Sequence, residues 1–155
     1  MLTFWTLRLM VLAVGLLLTV AMAAPAADDK KPDPFKLPPL DDKGWKKLDN
    51  GMRVWDVKEG TGDVVPKGAK ITLHYTGWLT DGTVFDSSKK RNEAITFPLT
   101  SLIKGWQEGV PGMKVGGVRR LEIPYQLGYG ERGTGDGTIP GKATLIFEIE
   151  VIALK

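Results

Sequence analysis

The sequence predicts an α+β fold, a mostly antiparallel sheet with one short helix. Three observations predict it. Apolar residues recur with period two in most segments after residue 45. Turn dipeptides such as Asn50-Gly51 and Asp81-Gly82 punctuate those segments. A single stretch, Leu99–Gln107, carries an i, i+1, i+4 stripe of Leu102, Ile103 and Trp106.

The elements follow in order. Asn50-Gly51 joins Lys46–Asp49 to Met52–Lys58 as a hairpin. In Lys70–Thr76, Ile71, Leu73 and Tyr75 share one face, and Thr72, His74 and Thr76 the other. Asp81-Gly82 turns the chain into Val84-Phe85, and Ile95 and Phe97 alternate with Ala94 and Thr96. The Leu99–Gln107 stripe reads as the helix, ended by Gly109, Pro111 and Gly112. Its default role is core packing. In Val118–Ile123, Leu121 and Ile123 lie on the face of Arg119. The last strand is long and central: Leu145, Phe147, Ile149 and Val151 face one way, Glu148 and Glu150 the other.

Organisation along the chain is uneven. Residues 1–23 read as an export signal. Arg8 is the only charged side chain before Asp28, Leu9–Val20 is apolar for 12 residues, and Ala21-Met22-Ala23 supplies a cleavage site. The competing reading is an uncleaved membrane anchor, since about 20 apolar residues span a bilayer. The chain is thus expected to be exported, periplasmic or secreted. Residues 24–44 read as an extended linker, with Pro25, Pro32, Pro34, Pro38 and Pro39 among Asp and Lys. Residues 45–155 are the folded domain, without internal repeats.

Composition excludes several chemistries. The 155 residues include no cysteine and one histidine, so thiol nucleophiles, disulfides and Cys- or His-rich metal sites are out. A net charge of +3 is too small an excess to imply nucleic acid, although the pI is about 9.1. Gly128–Gly133 fits G-x-G-x-x-G, but loop residues follow where a dinucleotide site needs a helix. Gly137–Ala143 resembles a phosphate loop, but is one residue short and has Ala143 in place of Ser or Thr. His74 reads as structural, Glu148 and Glu150 as solvated, and Lys89, Lys90 and Arg91 as a solvated basic loop. Asp86 reads on spacing alone as a turn former for Ser87 and Ser88.

Read together, the motifs form a recognisable series. His74-Tyr75-Thr76-Gly77, Asp81-Gly82, Phe85-Asp86-Ser87-Ser88, Arg91-Asn92 and Gly105-Trp106-Gln107-Glu108-Gly109 occur in order. Gly128-Tyr129-Gly130, Ile139-Pro140 and Ala143-Thr144-Leu145-Ile146-Phe147 follow. From Met52 to the C-terminus the chain resembles the FKBP family of peptidyl-prolyl cis-trans isomerases. The resemblance implies a twisted antiparallel sheet wrapped around one short helix, with a shallow apolar pocket between them. It implies that Tyr75, Phe85, Asp86, Arg91, Leu102, Ile103, Trp106, Tyr129, Ile139 and Phe147 line or border that pocket. Trp106 would be the floor, the Ile103 N–H and Tyr129 O–H would bind substrate carbonyls, and Asp86 would orient Tyr75 and Arg91. Proline-containing polypeptides are the implied substrates and macrolides possible ligands, with no metal or other cofactor. A non-catalytic module that holds apolar or proline segments is the alternative.

The chain departs from the family at three places. Ile95 stands where an aromatic residue is common, which thins one wall. The approach from Pro98 to Ile103 is one residue short. The Glu131–Thr138 loop is rich in glycine, and a flexible rim is expected there.

Overall fold

The computed structural model describes residues 33, 35–41 and 43–155. Seven strands form one antiparallel sheet: β1 (Lys46–Lys47), β2 (Arg53–Lys58), β3 (Lys70–Leu79), β4 (Val84–Ser87), β5 (Ile95–Pro98), β6 (Val118–Ile123) and β7 (Leu145–Leu154). Their order is β1-β2-β6-β7-β3-β4, and β5 pairs with β3 beside it. One helix, α1 (Lys104–Gly109), follows a 3-10 turn at Leu99–Ser101. No helix among the described residues is long and apolar enough to cross a membrane. The segment 1–23 lies outside the described residues.

The period-two reading holds where it is strongest. β7 is ten residues long and pairs with β6 on one side and β3 on the other. Leu145, Phe147, Ile149 and Val151 are all buried, and they meet Ile71, Leu73, Tyr75, Leu121 and Ile123 in the main core.

The helical stripe is divided. Leu102 and Ile103 are extended (ψ 171° and 151°), so only Trp106 of the three lies within α1. The Gln107 amide spans the break, donating to the Leu102 carbonyl at 2.7 Å. Glycine at positions 105 and 109 limits helix propensity but allows close docking. A Cβ on Gly105 would lie 2.5 Å from the Ile123 side chain, and one on Gly109 2.8 Å from Leu121. This approach over β6 is what brings Trp106 forward beneath β3 and β7. Gly105→Ala is therefore expected to destabilise the fold by about 1–3 kcal/mol, as overpacking does. Urea unfolding checks this; an unchanged midpoint contradicts it.

The outer face of the sheet is less solvated than the alternation implies. Glu148 takes Arg120 Nε at 2.9 Å and Lys89 at 3.5 Å, and Arg120 lies 4.7 Å from the Trp55 ring centroid. Ile146 and Trp78 also face outward from their strands, yet are 0% and 1% exposed. The described residues of 35–45 reach Trp78 and Arg53 through backbone carbonyls. The Phe35 carbonyl accepts the Trp78 indole N–H at 2.8 Å. The Pro39 carbonyl accepts the Trp45 indole N–H at 3.2 Å, and the Leu40 carbonyl accepts Arg53 at 3.2 Å. Pro38 is buried. The described part of the proline-rich segment thus packs on the domain instead of extending into solvent. Proline has no N–H, so this stretch cannot join the ladder and offers its carbonyls to side-chain donors.

The basic trio is solvated at Lys90 and Arg91, which are exposed, but each of the three also has a partner. Lys89 reaches Glu148 and Glu150 at 3.5 and 3.7 Å, Lys90 sits 5.3 Å from the Phe35 ring centroid, and Arg91 bonds Asp86.

Candidate active site

A hollow of about 250 Å³ opens between β3, β4, β5, α1 and β7. It is lined by Tyr75, Phe85, Asp86, Ile95, Phe97, Ser101, Leu102, Ile103, Trp106, Tyr129 and Phe147. Eight of the ten residues implied by the family resemblance lie on its wall. Arg91 is at its margin, bonded to Asp86 and Tyr75. Ile139 is 3% exposed and packs in the core. Its N–H donates to Thr134 Oγ1 at 2.9 Å and its carbonyl accepts the Thr134 N–H at 2.9 Å. Those bonds, with the Thr138 N–H on Asp136 Oδ1 at 3.0 Å, also brace the glycine-rich loop that was expected to be a flexible rim.

The walls are aromatic and mutually edge-on. Trp106 meets Tyr75 at 5.4 Å and 84°, and Phe147 at 5.2 Å and 88°. Phe85 meets Phe147 at 5.5 Å and 88°. Perpendicular rings present positive edges to negative faces, so the box is held by quadrupoles as well as burial. Gly77 makes room for it: a Cβ there would lie 2.6 Å from Phe85 and 2.8 Å from Phe147.

Polar groups are few and grouped at one side. The Tyr75 hydroxyl donates to Asp86 Oδ2, Arg91 donates to Asp86 Oδ1 at 2.5 Å, and Arg91 reaches the Tyr75 oxygen at 3.3 Å. The Ser87 and Ser88 hydroxyls hold this corner to β3. Ser87 Oγ lies 2.9 Å from Thr76 Oγ1, and Ser88 Oγ accepts the Tyr75 N–H at 2.8 Å. His74 bonds the same Ser88 oxygen from the outer face, at 3.0 Å. Among the described residues the Ile103 N–H has no hydrogen-bond partner, and neither has the Tyr129 hydroxyl.

Burial pushes the Tyr75 phenol up to about 12, and its bond to Asp86 adds to the effect. Burial also raises the Asp86 carboxyl, but hydrogen bonds from Arg91 and Tyr75 and the guanidinium charge outweigh it, leaving Asp86 below the ordinary aspartate value. Burial, and then the Asp86 charge, raise Tyr129. At neutral pH the hollow thus holds two neutral phenols and one carboxylate paired to arginine. It has neither a nucleophile with an adjacent base nor an acid and base of separated pKa.

Sequence reasoning missed Phe97 and Ser101 as lining residues. Phe97 had a signal, since it shares a strand face with Ile95. Ser101 had none, because it lies in the 3-10 turn.

Comparison with known proteins agrees with this geometry. The model of the FKBP-type peptidyl-prolyl cis-trans isomerase family matches residues 62–152. An FK506-binding protein of Neisseria meningitidis serogroup B is 52% identical over 104 residues, covering 66% of this chain and 94% of that protein. The FKBP-type peptidyl-prolyl cis-trans isomerase FkpA of Aeromonas hydrophila is 46% identical over 114 residues, covering 73% of this chain and 41% of its own. The crystal structure of FkpA from Escherichia coli superposes with a TM-score of 0.69 at 36% identity, over 73% of this chain and 52% of that one. With the family model spanning most of the domain and the same sheet-and-helix layout in the solved relative, this chain belongs to the FKBP-type peptidyl-prolyl cis-trans isomerase family and is a rotamase.

Proposed function

We propose that the 250 Å³ hollow is where rotation about the X-Pro bond takes place. The observation that carries this is an apolar box beside a small number of hydrogen-bond donors. The proline ring enters over Trp106, among Tyr75, Phe85 and Phe147, with Leu102 at the side. Burying its three methylenes contributes about 2–3 kcal/mol at about 0.8 kcal/mol each. The Ile103 N–H and the Tyr129 O–H bind carbonyls flanking the bond. Asp86 orients Tyr75 and Arg91 and sets the field at the amide.

The barrier to be lowered is about 18–20 kcal/mol, and unassisted exchange takes tens of seconds or longer. No bond is broken, so no acid–base pair is needed. The planar amide is more polarised by resonance than the twisted one. Stripping water from it therefore disfavours the ground state more than the transition state. Desolvating an amide costs a few kcal/mol, and each tenfold in rate needs only about 1.4 kcal/mol. Short peptides are expected to bind weakly, since millimolar affinity corresponds to about 4 kcal/mol.

The pairing also sets a pH profile. Asp86, held low, is ionised throughout pH 5–9, and its stabilising contact is lost only as pH falls through its depressed pKa. Tyr75, raised to about 12, stays neutral over the same range. We expect kcat/KM for a short peptide to be flat from pH 5 to 9. A limb between pH 6 and 8 contradicts this assignment.

Spectral mapping tests the site. Titration with an X-Pro peptide is expected to shift the Ile103 amide and Trp106 indole resonances first. Shifts confined to another face sink the assignment. We further propose that the hollow takes macrolides, since the Neisseria relative is an FK506-binding protein. FK506 is expected to compete with the peptide, and independent binding contradicts that reading.

The chain is proposed to act on folding proteins after export, with 1–23 as signal and 45–155 as catalytic domain, the described residues of 24–44 packing on that domain. N-terminal sequencing of exported protein is expected to begin at Ala24. A start at Met1 favours the membrane anchor.

A further inference from the structure

The turn between β4 and β5 distributes three consecutive cations among three parts of the domain. Lys89 bonds carboxylates on the outer face of β7, Lys90 lies against the strap formed by residues 35–45, and Arg91 bonds Asp86 in the hollow. The turn is short and closed on itself. The Lys90 N–H donates to Ser87 Oγ at 3.2 Å, the Asn92 N–H to the Lys89 carbonyl at 3.1 Å, and the Glu93 N–H to the Ser88 carbonyl at 3.1 Å. Asn92 occupies the left-handed region, with φ 52°. A displacement of Lys90 is therefore carried to Arg91, its neighbour in the same turn. Lys90, Arg91 and Asp86 also border one recess beside the hollow.

Phe35 is fixed at the other end of this contact. Its carbonyl is held by the Trp78 indole, and Trp78 is almost fully buried in β3. Its ring, at 5.3 Å, faces the Lys90 ammonium. A cation over an aromatic face at an exposed site shifts a conformational equilibrium by about two- to fivefold. The strap thus gives the Lys90 side chain a contact of its own, beside the anchors that Lys89 makes on Glu148 and Glu150.

We propose that Phe35 is a positioning residue for the isomerase site, acting through Lys90 to hold Arg91 on Asp86 and Tyr75. The proline-rich strap is then a working part of the enzyme. This rests on the reading of Asp86 as part of the site.

The test uses the whole exported chain. Phe35→Leu keeps an apolar side chain without the π face, and Lys90→Met keeps the stem without the charge. Lys90 is exposed, so that variant does not endanger folding. Each is expected to lower kcat about two- to fivefold with KM little changed, and to move the Arg91 Nε–Hε resonance. The double variant is expected to be no slower than either single one, because both remove the same contact. Phe35→Tyr, which keeps the ring, is expected to restore most of the rate. Unchanged kcat in Lys90→Met, effects that multiply, or a still Arg91 resonance overturns the proposal. Asp86→Ala separates the two layers. If it is fully active, the site reading fails. If it is impaired while Phe35→Leu and Lys90→Met are not, only the role of Phe35 fails.

Discussion

Asp86→Ala is expected to lower kcat/KM about tenfold or more while the fold remains. Asp86 accepts from both Tyr75 and Arg91. Hydrogen bonds to charged groups are worth about 1.5–3 kcal/mol where they are fully expressed, which is about 10- to 150-fold in rate. The Asp86 side chain is 41% exposed and Arg91 48%, so solvent screens the pair and the lower end applies. The same exposure limits the stability cost to about 1 kcal/mol or less. Activity is thus expected to fall much more than the melting temperature. Comparing the exchange rate with thermal unfolding checks this. Parallel loss of both, with far-UV CD lost at the assay temperature, reduces Asp86 to a structural residue.

Trp106→Ala is expected to have the largest combined effect. The ring is 4% exposed and contacts Tyr75 and Phe147 edge-on. Emptying such a site costs about 3–5 kcal/mol, against a total stability of about 5–15 kcal/mol for a domain. The variant is expected to fold at low temperature with a markedly lower melting point. Its kcat/KM should fall more than tenfold, because the surface under the proline ring is gone. Trp106→Leu should recover much of the stability and little of the rate, since it restores apolar volume without the flat face. Full activity in the folded Trp106→Leu variant would show that the floor of the hollow is not required.

The sheet was legible because its signal is local and repeated. A face of β7 that reads Leu145, Phe147, Ile149, Val151 can pack only one way, and each neighbouring strand confirms its register. The motifs around Tyr75, Phe85, Trp106 and Tyr129 pointed to residues that the fold then places around one hollow. What failed was what depends on contacts distant in sequence. The i, i+1, i+4 stripe at Leu102, Ile103 and Trp106 suits a helix, but it suits an extended pair followed by a short helix equally well. Period two sets Ile146 on the same face as Glu148 and Glu150. It could not show that Trp78 and Ile146 would be covered on that face. Lys89, Lys90 and Arg91 looked alike in sequence, and only the fold separates their partners. Proline-rich composition led to a solvated tether for 24–44. The indole and guanidinium donors that meet the carbonyls of Phe35, Pro39 and Leu40 come from residues up to 43 positions away.

The central claim is that an apolar hollow lowers the rotation barrier without covalent chemistry. Two-dimensional NMR exchange between the cis and trans forms of a short X-Pro peptide tests it most directly. With protein at about one hundredth of the peptide concentration, exchange that normally takes tens of seconds or longer is expected to become fast enough to give cross-peaks. The rate should rise in proportion to protein, and be equal at pH 6 and pH 8. Unchanged exchange at that ratio, with the protein shown folded, contradicts the account.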